Sequence, residues 1–326
     1  MKNIKKNFQL LLGVLISAAF LFLTFSEVNF YEMLVEIENL NFFYLLVSLL
    51  TVILSLLIKS LRWGSIIRPI LDLDQKAILP ISSVGIAAIT ILPFRLGEIV
   101  RPLLLSRSKP ISFSQALATI VFERLTDSVM LILLLSIIII SSSLPSYIIV
   151  GGEILFFSTL VLLTFIIIIY SKYKLSKKFF DRIISILPDK LEINLSKMFE
   201  NFFKGLTILS NPRDLMKVFI QSLILWLIYG LIVKFMFNFH GFELSLIAAF
   251  SVVVITFLAA SIPAAPGFLG TFQYGCYIAL TSYGISPEQA ALFSLTYYMV
   301  MIGMNIILGL IFYLKEGKSL NFFGTS

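Results

Sequence analysis

Six ionisable residues fall within stretches otherwise apolar enough to sit in a bilayer. "PFRLGEIVR" sets Arg95, Glu98 and Arg101 at successive i, i+3 positions, and "VFERLTDSV" sets Glu123 and Asp127 four apart with Arg124 beside them. On helices, both spacings gather charge onto one face. With a span beginning near residue 112, the second group lies about 16 Å deep at roughly 1.5 Å per residue, close to the midplane. Exposing three such charges to lipid would cost on the order of 8 to 10 kcal/mol, at roughly 2.5 to 3.5 each, so they must face one another or a hydrated cavity. Two readings follow. One is a closed ion-pair cluster that ties elements together. The other is a polar cavity in which guanidinium groups grip an anionic head group while the carboxylates position them or bind a cationic group. Buried ion pairs stabilise poorly compared with apolar packing, which favours the cavity.

A second set of residues breaks an apolar region without adding charge. "SIPAAPGFLGTFQ", residues 261 to 273, carries prolines, glycines and a glutamine in mid-span. Lipid offers the backbone no hydrogen-bond partner, so such a break has to face protein or water. A helix starting there directs free N–H groups and the positive end of its dipole into the bundle, where an anion would be stabilised. Gly267 and Gly270 would allow close backbone approach; the plainer alternative is a tight turn between two helices.

The elements that must position these residues are helices in a membrane. The 326 residues are 59% hydrophobic and 13% charged, and apolar segments recur at about 8 to 25, 42 to 61, 77 to 92, 112 to 140, 148 to 170, 215 to 238, 244 to 262 and 288 to 314. Stretches 94 to 105 and 267 to 283 are too short or interrupted to cross, and each follows a proline-containing break. Each pairs with the segment before it as a hairpin that enters and leaves on one side. The expectation is an all-α polytopic membrane protein with six full crossings and two re-entrant hairpins. The N-terminal run is basic and then apolar but has no small-residue cleavage site, so it reads as an uncleaved first span. One Cys and one His exclude a disulfide framework and a zinc-type cluster.

Loop charge sets the orientation. The N-terminus, the region from Lys59 and Arg62 to Lys76, the link with Arg107 and Lys109, residues 171 to 214 and the tail collect nearly all Lys and Arg, whereas "SEVNFYEMLVEIENLN", "SSSLPSY", "HGFE" and "GISPEQ" have none. By the positive-inside rule both termini are cytoplasmic, in the plasma membrane. Lys234 is the exception, near the outer end of its span. Pro93 and Gly97 match Pro266 and Gly270, each 173 positions on, and "ISFSQA" matches "ISPEQA" 174 positions on. The chain then divides into a first membrane repeat, 1 to 140, a second, 141 to 314, and a tail, 315 to 326. Three crossings per unit invert the second copy, a transporter architecture with broken helices at the midplane. Within the second repeat, the link 171 to 214 carries basic amphipathic segments expected to lie on the inner leaflet.

"PFRLGEIVRPLLL", "SQALATIVFERLTDSVML", "PAAPGFLGTFQ" and "GISPEQAALFSLTYY" together resemble the lysylphosphatidylglycerol synthase/flippase transmembrane family, in its stand-alone flippase-like form without the aminoacyltransferase domain. The resemblance covers nearly the whole chain. It implies movement of a polar or charged lipid between leaflets (a phospholipid, an aminoacylated lipid, or a glycosylated or polyprenyl-linked one) and no aminoacylation. By position it carries substrate binding to Arg95, Gly97, Glu98, Arg101, Glu123, Arg124 and Asp127, and to Pro266, Gly267, Gly270 and Gln273. The expected partners are membrane lipids, with no nucleic acid and no cofactor. Two other classes stay open: a membrane-embedded lipid-linked glycosyltransferase, for which "DLD" at Asp72 to Asp74 is formally a metal-binding D-x-D, and an accessory subunit of a lipid-modifying enzyme.

Overall fold

The computed structural model describes residues 2–92, 96–141, 146–262 and 264–316. The chain is 85% helical, with no strand among the described residues. The first half runs α1 (Lys2–Phe25), α2 (Phe30–Val35), α3 (Phe42–Ile67), α4 (Gln75–Ile91), α5 (Gly97–Ser108) and α6 (Phe113–Ser141). The second runs α7 (Ser146–Ser171), α8 (Tyr173–Ile184), α9 (Asp189–Gly205), α10 (Pro212–Phe239), α11 (Leu246–Ala259), α12 (Thr271–Thr281), α13 (Pro287–Tyr298) and α14 (Met304–Glu316). A π-helical turn, Met299–Gly303, joins the last two into one element. Caps written in the sequence start several of these helices. Asn41, Asp74, Asn211, Ser245 and Ser286 each accept a backbone N–H of the first turn through a side-chain oxygen.

Among the described residues four helices are long and apolar enough to cross a membrane: α3, most of α7, α10, and the α13–α14 element. A fifth is reached if α1 and the short helices after it, bent by 82°, count as one span. α6 has the length, 29 residues, but carries Glu123, Arg124 and Asp127 within it.

α4 and α5 double back on each other, as do α11 and α12. A Cβ on Gly97 would lie 2.1 Å from the Ile89 nitrogen, so the start of α5 presses directly on the backbone of α4. In the second pair the Thr256 hydroxyl meets the Cys276 thiol at 3.3 Å and the Ser251 hydroxyl meets that of Tyr283 at 2.7 Å. At 1.5 Å per residue, the 12 residues of α5 and the 11 of α12 cover roughly 17 Å, well short of a hydrocarbon core of about 30 Å.

The two halves pair their elements in the same way. α3 packs along α10; α4 packs on α14 as α11 packs on α6; and each hairpin's second helix packs on the long helix that follows it. The largest core runs through α3, α6 and α10 to α13, with Trp226, Phe237, Val252 and Phe293 buried in it. A second core lies under α3 to α6, around Trp63, Ile81 and Leu105.

Two expectations need correcting. α3 does not end near residue 61 but continues to Ile67, so Lys59 and Arg62 belong to the helix rather than to a loop. The amphipathic link also does more than lie on a surface: α9 packs on α6, where a Cβ on Gly205 would sit 2.4 Å from the Gln115 carbonyl oxygen. α8 folds back on α9 through an ion pair of Lys177 with Glu200 and a 2.9 Å hydrogen bond from Ser196 to Asp181. Their hydrogen bond, the largest influence on either group, raises the Lys177 ammonium and lowers the Glu200 carboxyl from their ordinary pKa values.

Candidate binding site between the two hairpins

The charges form two tiers. The lower tier is closed. Glu123, Arg62 and Arg101 have no solvent exposure. Arg101 Nη1 donates to Glu123 Oε1 at 3.0 Å, and Arg62 Nη2 lies 3.3 Å from the same oxygen. Arg62 Nη1 donates to Asp127 Oδ1 at 2.7 Å and to the Ser222 hydroxyl at 3.1 Å. The Arg101 guanidinium stacks 4.3 Å above the Trp63 ring, whose N–H donates to Thr119 at 3.1 Å. Gly85 makes room for the arginine stem, since a Cβ there would fall 2.0 Å from Arg101 Cγ. This tier ties α3, α5, α6 and α10 together, as the closed-cluster reading expects.

The upper tier is open. Arg124 is about one-third exposed, and its contacts are long: 3.5 Å to Asp127, 3.7 Å to Glu123 and 3.8 Å to Glu98. It lines a cavity of about 420 Å3 with Lys59, Glu98, Asp127, Ser128 and Tyr229. The ends of both hairpins and the π-helical turn add apolar lining from Ile89, Phe257, Phe268, Phe272, Met301 and Ile302, interspersed with Thr90, Thr256 and Ser261. Lys59 has no ion-pair or hydrogen-bond partner among the described residues. Among the described residues of both tiers, four cations (Lys59, Arg62, Arg101, Arg124) stand against three carboxylates (Glu98, Glu123, Asp127), one positive charge in excess. The groups free to use that charge on a ligand are Lys59 and Arg124, because Arg62 and Arg101 are sealed below.

The residues singled out from the sequence therefore separate. Glu98, Arg124 and Asp127 line the cavity; Glu123 and Arg101 lie beneath it; Gly97 serves the α4–α5 contact. Arg95 falls outside the described residues. Pro266, Gly267, Gly270 and Gln273 do not line the cavity, although their neighbours Phe268 and Phe272 do. Gly270 has φ +86° and faces α1, with a Cβ there falling 2.4 Å from the Ser17 carbonyl oxygen. Its N–H is taken by Gln273 Oε1 at 2.7 Å, so this helix start is capped by its own side chain. Gly267 lies against the Tyr298 hydroxyl. Arg62, Lys59 and Ser222 were missed as site residues, since the two cations sit at the end of an apolar run and read as loop charges.

The D-x-D aspartates have local partners. Asp74 caps α4 through the Lys76 N–H at 3.0 Å, and Asp72 lies 3.5 Å from Arg68 one turn earlier. No group of three His, Cys, Asp or Glu residues placed to hold a metal ion occurs among the described residues.

With this geometry in place, comparison with known proteins gives one family. Its model, described as the lysylphosphatidylglycerol synthase TM region, matches residues 10–309. No curated protein matches the chain.

Proposed function

The chain belongs to the lysylphosphatidylglycerol synthase transmembrane family, and from that premise we propose that it moves a lipid with an anionic head group between the leaflets of the membrane. The head group enters the 420 Å3 cavity, where Lys59 and the guanidinium of Arg124 bind its phosphate and Glu98 and Asp127 hold Arg124 in place. The observation that carries this reading is the excess cation among the described residues of the cluster, concentrated on Lys59 and Arg124, which face a cavity with much apolar lining. A soluble anion would need only the charged side. In this reading the two helix pairs are re-entrant hairpins within six crossings, the second repeat is inverted, and both termini face the cytoplasm of the plasma membrane. The family places lipid handling on the chain; transport in place of catalysis is supported by the cavity's position between two broken helices, the arrangement of alternating-access carriers.

Reconstitution tests the proposal directly. Purified protein in liposomes carrying a fluorescent-head-group phosphatidylglycerol should expose the inner-leaflet label to a membrane-impermeant quencher faster than protein-free liposomes do. Lys59→Gln should slow that exchange about tenfold, the effect of losing about 1.4 kcal/mol of head-group binding. Wild-type exchange by a Lys59→Gln, Arg124→Gln double variant would remove the assignment.

A further inference from the structure

The two hairpins are covered unequally. α1 lies along the second: Ser17 accepts the Ala265 N–H at 2.9 Å, and Phe20 packs 5.2 Å from the Tyr274 ring. By the matching order of the halves, α7 should lie along α5 in the same way. It packs instead on α6 and α8, and only 12% of its apolar stretch is buried, against 50% for α10. Where the missing cover would be, α5, α6 and α7 enclose a cleft of about 380 Å3 walled by Leu96, Ile99, Leu117, Ile120, Val121 and Leu162. Its polar end is shared with the central cavity, since Glu98, Arg124 and Ser128 line both.

We propose that this cleft seats an acyl chain of the lipid whose head group occupies the central cavity, with the Glu98 and Arg124 side chains at the neck between the two. This rests on the lipid-transport reading above. The joined spaces match an amphiphile: cationic at one end, apolar at the other, and meeting at the Glu98–Arg124 pair, whose 3.8 Å separation is the longest of the ion pairs described in the cluster. A free phosphate would leave the cleft unused, and a neutral lipid would leave the excess charge unused. Leu162 on α7, which is 46% exposed, belongs to the cleft wall, so a lipid entering there would keep its tails off the charged tier.

Photolabelling decides occupancy without requiring transport. In nanodiscs containing phosphatidylglycerol with a diazirine on one acyl chain, adducts mapped by mass spectrometry should be about tenfold richer on Leu117, Val121 and Leu162 than on Leu223, Leu227 and Leu231, the lipid-exposed face of α10. The enrichment should vanish when the same chain is carried by diacylglycerol. Equal labelling of the two faces, or undiminished labelling with diacylglycerol, overturns the proposal. A second arm closes the cleft: Ile99→Cys with Leu162→Cys, joined by a reducible thiol cross-linker, should lower exchange at least tenfold and recover on reduction, the native Cys276 being buried. Unchanged exchange at complete cross-linking also overturns it. Absence of exchange in the wild type, with the cleft still selectively labelled, would remove the transport reading and leave the acyl site standing.

Discussion

Lys59 and Arg62 lie three positions apart on α3, yet only Lys59 reaches the cavity, while Arg62 is sealed against Glu123, Asp127 and Ser222. The difference predicts opposite mutational signatures. Glu123→Gln leaves two buried guanidinium groups without their shared carboxylate, and breaking such a pair from one side costs about 3 to 5 kcal/mol. Thermal denaturation in detergent should show that loss, whereas Lys59→Gln should keep the wild-type melting temperature and slow exchange about tenfold. Arg124 belongs to the second kind. Arg124→Lys keeps the charge but not the planar fork that grips two oxygens, so exchange should fall about tenfold with the fold intact. Arg124→Ala combined with Asp127→Ala keeps the net charge of the cluster but takes the 2.7 Å partner from the buried Arg62, so it should melt earlier than wild type. In the protein that folds it should not move lipid, because no change of partner replaces a phosphate ligand. Near wild-type exchange by that double variant would place Arg124 among the structural residues.

At the scale of elements, the glycines of the hairpins act through helix contacts. Gly270 has a positive φ and abuts the backbone of α1, so even Gly270→Ala is both strained and obstructed. Cavity and loop-strain effects of this kind fall in the range of about 1 to 3 kcal/mol, so the variant should express poorly or melt early. A Gly270→Ala protein as stable as wild type would show that α1 can move off the second hairpin. The link makes a separate forecast. Phe179, Ile183 and Ile186 on and just after α8 are exposed, beside Lys178 and Arg182, so Phe179→Trp should be quenched by brominated acyl chains in anionic vesicles. Quenching confined to aqueous agents would mean that this face meets another protein.

For the whole molecule, the decisive quantity is the side on which each loop emerges. Loop charge and the parity of the halves require residues near Asp74 and Lys109 to lie on one side and residues near Gly241 and Ser286 on the other. Single cysteines at those positions should react with an impermeant maleimide only from the cytoplasm in the first pair and only from outside in the second. Labelling of 241 or 286 from the cytoplasm would contradict an inverted second half. The same bundle explains why the ion cluster is tolerated at depth: its fully buried groups are paired inside protein, and its partly exposed ones open on a shared cavity rather than on lipid.

The sequence alone determined what depends on composition and local spacing. Long apolar runs made an all-α membrane protein, proline and glycine placed the two breaks, and the i, i+3 and i, i+4 spacing brought Glu98, Glu123, Arg124 and Asp127 forward as one charged group. Tertiary structure decided which of those charges is sealed and which is free. Arg62 finds Asp127 65 positions away and Ser222 160 positions away, distances over which no periodicity in the chain carries information. Hydropathy stopped α3 near residue 61, six residues short of Ile67, because a charge at the end of a span and a charge in a loop weigh alike in a window average; only packing against α6 and α10 distinguishes them. Gly270 shows the reverse case. Its type announced a close approach, but the partner, the Ser17 carbonyl of α1 rather than a ligand, was fixed by the way the first helix folds across the second half.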